Sequence, residues 1–185
     1  MIIYGYIVFL HLAAMAFLFM GYGLEWTGTA FLRNATTAQA ARSGLGTYRV
    51  SLPMSGPALL VLILSGGFLA GVTGASKEGW VLGTALGIIV ALFIGFALVM
   101  PRMKRIKAAL PAGDGPLSVE ALDKVQDGVL ITLIRVRAFI ALGIVYLMTL
   151  KPALIMSLAV LFGAIVLGIL FSATAWSKPV VKTGA

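Results

Sequence analysis

The stretch from Ile2 to Leu24 contains no Asp, Glu, Lys or Arg and one histidine, His11, near its middle. Those twenty-three residues, at 1.5 Å each in a helix, cover the roughly 30 Å of hydrocarbon in a bilayer. A charge-free run of this length predicts a transmembrane helix. The start Met1-Ile2-Ile3-Tyr4 has no basic n-region, and the run is longer than a signal-peptide core, so the helix is expected to be retained. The chain is 61% hydrophobic and 11% charged, with a mean hydropathy of +1.07, the composition of a polytopic membrane protein. Segments between the apolar runs are under about 35 residues, too short for a separate water-soluble core. Residues 1–185 therefore read as a single transmembrane helical domain.

Five apolar runs predict a bundle of five transmembrane helices at about residues 2–24, 55–74, 80–100, 129–150 and 153–176. The residues after Trp26 are rich in Ala, Thr and Gln, which predicts that the first helix continues out of the membrane until Gly44 and Gly46 break it. Pro53 and Pro57 suit the opening turn of the second helix. Only 75–79 separate the second run from the third, so a tight hairpin is expected, and Pro101 is expected to close the third. Gly83, Gly87, Ala91 and Gly95 recur every four residues, and Gly67 and Gly71 lie on the second helix. Small residues on one face let membrane helices approach closely, within the chain or in a homodimer. Ser118 reads as an N-cap and Glu120 and Lys124 as an i, i+4 ion pair, opening a polar helix that runs on into the fourth span.

Fourteen Lys and Arg against six Asp and Glu give a net charge of +8. In so apolar a chain, basic residues belong to cytoplasmic loops facing anionic lipid rather than to nucleic acid. With the N-terminus outside and the C-terminus cytoplasmic, twelve of the fourteen fall inside, and only Lys77 and Lys151 remain outside. Trp26 and Trp176 then mark the inner interface and Trp80 the outer one.

The chain has no cysteine, which removes disulfides, thiolate metal sites and iron–sulfur clusters. Phosphate-cradling glycine loops, nucleophile elbows and carboxylate-rich metal sites are also missing from the sequence, so hydrolase and kinase chemistry drop out. His11 remains. An ionisable group at that depth is costly and faces the protein interior or a wet cavity. It is either a neutral imidazole hydrogen-bonded to a neighbouring helix or a ligand to a metal or a haem. Met15, Tyr22 and Glu25 follow on the same helical face, and Met15, Met20 or Met148 could supply a second ligand. Glu25 lies where the first helix leaves the membrane, and Arg135 and Arg137 lie at a similar level on the fourth. Both arginines can reach the headgroups from there, a purely topological role; alternatively one pairs with Glu25, and, being two residues apart on a helix, only one of them is expected to face the bundle.

Leu10-His11, Gly21 and Gly23, the basic connecting segment, and Pro57-Ala58-Leu59-Leu60 followed by Ser65-Gly66-Gly67 resemble uncharacterised bacterial membrane proteins related to the copper-resistance protein CopD, and more loosely HemJ-type protoporphyrinogen oxidases. The likeness covers about residues 5–75. It implies a compact helical bundle in the bacterial inner membrane with His11 as the haem or metal ligand. Extra histidines of the copper proteins and a counterpart of the HemJ lysine are not found here.

Three functions are open on the sequence. One is a redox-cofactor protein, with haem b the first candidate, for electron or proton transfer, with His11, Met15, Tyr22, Glu25, Arg135 and Arg137 around the cofactor. The second is a small transporter or channel with a polar path through His11 and Glu25. The third is an accessory or assembly subunit of a membrane complex.

Overall fold

The structure, a computed structural model, describes residues 2–173 and residue 176. The described residues form helices α1 (Ile2–Arg33), α2 (Ala38–Val72), α3 (Gly79–Ala109), α4 (Val119–Val125), α5 (Gly128–Leu150) and α6 (Leu154–Phe171), with a single 3₁₀ turn, Ala75–Lys77, between α2 and α3. Five helical stretches are long and apolar enough to cross a membrane: α1, α2, α3, the α4–α5 stretch and α6. This is an all-α, multi-pass membrane protein. Its large exposed side chains, such as Ile3, Phe9, Leu64, Ile89 and Phe162, are apolar ones, as a lipid-facing surface requires.

Several helix ends differ from the sequence expectation, each for a local reason. The first helix stops at Arg33, because Thr37 opens α2 by accepting a hydrogen bond from the Ala40 N–H. Gly44 and Gly46 lie inside α2 rather than breaking a helix. Pro53 and Pro57 are also interior to α2. In the same turns the Ser51 and Ser55 hydroxyls donate to the Tyr48 and Ser51 carbonyls, while the carbonyls that the prolines leave without an N–H partner are those of Arg49 and Pro53. Pro101 does not end α3. Proline lacks the N–H and crowds the carbonyl four residues back, and here the helix widens to a π-helical turn over Ile94–Val99 just before it. Ser118 caps α4 and Lys124 pairs with Glu120 as expected, but α4 does not continue into α5. Asp127 interrupts them, accepting from the Val129 and Leu130 N–H groups and pairing with Arg102 at 3.3 Å. The last helix ends at Phe171, so the expected bound at 176 falls beyond it, with 174 and 175 outside the described residues.

The helices assemble as two units. In the first, α1 and α2 lie antiparallel in the most extensive contact of the molecule. Gly28 and Gly44 face each other there. A Cβ on Gly28 would sit 2.7 Å from the Tyr48 backbone nitrogen, and one on Gly44 would sit 2.8 Å from that of Leu32, so only glycine permits this crossing. In the second unit α3, α5 and α6 pack together. The α3 glycine stripe serves this packing: Gly83 meets Ser157 and Leu147, and Gly87 meets Leu161 and Ile144. That face is taken up within the chain, whereas Gly67 and Gly71 of α2 have no neighbouring atom within 4 Å. Beyond their turn α2 and α3 separate, and the space between the two units is a cleft.

Contacts that no periodicity announces lock one end of the molecule. The α3–α4 loop docks on the α1–α2 turn through Ala38 N–H to Gly115 O and Leu117 N–H to Thr36 O, both 3.0 Å. Arg42 adds hydrogen bonds to the Pro111 and Gly113 carbonyls and an ion pair with Asp114.

Candidate functional site

One wall of the cleft is the face of α1 that carries His11, Met15, Leu18 and Tyr22; Leu59 and Leu62 of α2 continue it. The opposite wall is supplied by α3 and by Arg137, Ala141, Ile144 and Met148 of α5. Spacings of three and four residues from His11 keep its α1 face in line, so the face read from the sequence is the one that lines the cleft. Apolar atoms dominate the walls, and polar groups sit at the two ends.

At one end, the His11 ring lies against Gly66, where a Cβ would approach Cε1 to 3.2 Å. Its Nδ1 is 2.8 Å from Ser65 Oγ, and that hydroxyl donates to the Val61 carbonyl at 2.6 Å. With the serine proton on the Val61 carbonyl, the serine oxygen accepts from Nδ1–H, the tautomer this arrangement favours. Nε2 is then left with its lone pair and makes no hydrogen bond to a described residue. A hydrogen bond from one ring nitrogen that leaves the other free is how metal-binding histidines are oriented. Of the methionines named with it, Met15 and Met148 reach the cleft, while Met20 is exposed on the outer surface.

At the other end is a buried ion pair. Arg137 donates from Nη1 to Glu25 Oε2 at 2.9 Å, and the Glu25 side chain is only 1% exposed. The guanidinium lies 5.2 Å from the Tyr22 ring centre, with Tyr48 a further close electrostatic neighbour. Its remaining side is covered by α3: a Cβ on Gly95 would come within 3.3 Å of Arg137 Cζ. Gly95 lies in the π-helical turn, so the widening caused upstream of Pro101 coincides with the bare backbone that admits the arginine. Arg137 Nε is buried with no hydrogen-bond partner.

Arg135 belongs elsewhere. It donates to the Phe171 carbonyl at 2.8 Å and stacks 5.0 Å from the Trp26 ring, at the end of α6 and outside the cleft. Of the two arginines, Arg137 meets Glu25, and Arg135 does not line the cleft. Tyr4, on the His11 face two turns earlier, is also exposed. Sequence reading did not single out Tyr48 or assign Gly95 to this site. The single available signal was the glycine six residues before a proline.

His11, Met15 and Met148 bring one imidazole and two thioethers to the cleft, donor types that a soft metal ion prefers. The described residues include no group of three His, Cys, Asp or Glu side chains placed to hold a metal, so His11 with the Met15 and Met148 thioethers is the donor set the cleft offers. Its volume is ≈ 60 Å³, well below the roughly 300 Å³ at which pockets for larger ligands begin. An ion or a few waters fit. A haem does not fit with the helices packed as they are; it would require the α1–α2 hairpin to part from α3 and α5.

Fold and cleft together define a multi-pass α-helical membrane protein with a half-buried imidazole and a buried ion pair along one cleft. Comparison with known proteins places it no further: no family model, no curated protein and no solved structure matches the chain.

Proposed function

We propose that this chain is a redox-centre protein of the bacterial inner membrane, in which Nε2 of His11 binds a copper or iron centre for electron or proton transfer. The observation that carries the reading is the His11–Ser65 bond beside a cleft that His11 lines together with two thioethers. A bound copper or iron would supply one-electron chemistry. The chain's own residues orient the imidazole through Ser65, exclude water with Leu18, Leu59 and Ile144, and close the far end with the Glu25–Arg137 pair.

Metal content and absorption spectra, oxidised and dithionite-reduced, test this on protein purified from membranes in mild detergent. Wild type is expected to carry copper or iron, His11→Ala to lose it, and Ser65→Ala to bind it about 10–100-fold more weakly. A Soret band lost in His11→Ala would identify the centre as haem b held by a parted hairpin. Metal-free, colourless wild type from metal-replete cells would sink the proposal.

One observation favours a second reading, a small transporter or proton path: the same cleft runs from His11 to Tyr22 and the Glu25–Arg137 pair. Under that reading, pH-dependent flux in liposomes disappears in His11→Ala while no metal is found.

We also propose an external N-terminus and a cytoplasmic C-terminus, from the distribution of Lys and Arg. The native chain has no cysteine, so Ser76→Cys should label with an impermeant maleimide from outside intact cells and Ser118→Cys only after permeabilisation. The reverse pattern would invert the orientation.

A further inference from the structure

A second and larger cavity, of ≈ 550 Å³, lies between α2 and the end of α3 beyond Pro101. Its walls combine two chemistries. Leu45, Tyr48, Leu52, Met100 and Met103 give an apolar lining, and Arg49, Lys104 and Lys107 bring cations to it from both helices. Arg42, at the same cavity, is already held by Asp114 and two carbonyls. Arg49, Lys104 and Lys107 form no ion pair or hydrogen bond with a described residue.

The chain has few anions to offer them. Of its six carboxylates, Glu25, Asp114, Glu120 and Asp127 are paired with Arg137, Arg42, Lys124 and Arg102. Glu78 lies in the α2–α3 turn, at the opposite end of both helices from the groove. Asp123 does not line the cavity. No carboxylate among the described residues lines the groove, which leaves it to an anion from outside, and the lining asks that this anion carry an apolar portion. The groove also sits where both are found together: Leu52 and Met100 border the apolar lengths of α2 and α3, while Lys107 and Pro111 lie past them toward the polar loop.

We propose that this groove is a binding site for one anionic phospholipid, with its phosphate between Arg49 of α2 and Lys104 and Lys107 of α3 and an acyl chain along Leu52 and Met100. Basic pockets between membrane helices take such headgroups through phosphate contacts, with the chain held by the apolar floor. A free phosphate would satisfy the cations but leave the floor uncovered.

The test is native mass spectrometry of the full chain in mild detergent, titrated with phosphatidylglycerol, phosphatidylcholine or inorganic phosphate. Phosphatidylglycerol is expected to bind as one adduct, more tightly than either of the others. The double variant Arg49→Gln/Lys104→Gln should weaken it by about tenfold or more, at roughly one surface-charge contribution per cation removed. Lys77→Gln/Arg105→Gln removes the same charge away from the groove and should leave binding within about twofold of wild type. Equal weakening in the two doubles would reduce the effect to general surface charge and overturn the site. Phosphatidylcholine binding as well as phosphatidylglycerol, or inorganic phosphate matching the lipid, would overturn it too. Should the first double fail to elute as a single species, Lys107→Gln alone carries the same comparison against Lys77→Gln.

Discussion

Arg137→Met is expected to destabilise the protein more than any other single change at the cleft, with Glu25→Leu close behind, and the two together to restore much of what either loses. The Glu25 carboxylate is almost wholly enclosed, and Arg137 is 13% exposed. Removing one partner leaves the other charge unpaired in the protein interior, which costs about 3–5 kcal/mol for buried pairs. Replacing both by apolar groups of similar bulk removes the stranded charge along with the attraction and is often neutral. For a chain of this length 1 kcal/mol moves the midpoint of thermal unfolding by about 2–4 °C, so each single variant should lose on the order of 10 °C. Heating in detergent followed by size exclusion reads the loss. Strictly additive losses in the double variant would mean that Glu25 and Arg137 act independently and that the 2.9 Å contact contributes little. The same variants bear on function, since a double variant that folds but no longer supports metal binding or flux separates a role in chemistry from one in stability.

Gly28→Ala should be nearly as damaging although it adds one methyl group. Its Cβ would stand 2.7 Å from the Tyr48 nitrogen and 2.9 Å from the Gly44 carbonyl oxygen, and both are backbone atoms of a helix that cannot turn aside as a side chain can. The α1–α2 hairpin must open along its length, and overpacking of this kind costs about 1–3 kcal/mol. Because that hairpin forms one wall of the cleft, ligand binding at His11 should weaken in parallel. Gly23→Ala is the matched control: it lies on the same helix with nothing within 4 Å, and alanine is the better helix former by about 1 kcal/mol. Unfolding midpoints of the two variants should move in opposite directions. Equal behaviour would show that the hairpin crossing tolerates a Cβ and that the close approach does not hold the two helices.

Much of the site can be followed back to spacing. His11, Met15, Leu18, Tyr22 and Glu25 lie at three- and four-residue intervals, and the helix carries all of them to one side, so the polar face of α1 was readable before any neighbour was known. The same geometry separated Arg135 from Arg137. What spacing left open was which of the two meets Glu25, because both lie at nearly the same depth. That depends on the rotation of α5 against α1, and the rotation is set by packing at Gly143 and Gly168 against Ala164 and Val136 on the α5–α6 side. The small residues of α3 show the same division. Their period was plain, but a stripe of glycine names no partner, and it packs on α5 and α6 rather than on the α2 that precedes it in the chain.

By itself the sequence determined what hydropathy and local bonding control: five apolar helices, the cap at Ser118 and the pair Glu120–Lys124, and the face of the first helix that carries the histidine. These depend on residues within a turn or two of one another. Only the tertiary structure decided that prolines at 53, 57 and 101 lie inside helices, that Ser65 holds His11, and that a π-helical turn opens α3 to Arg137. In lipid a helix is not forced to end where one hydrogen bond is lost, since no water is there to compete for the backbone and the remaining bonds hold it. The holding of His11 and the placing of Arg137 depend on contacts 54 residues apart for His11 and Ser65 and 112 apart for Glu25 and Arg137, distances along the chain over which no local periodicity carries information.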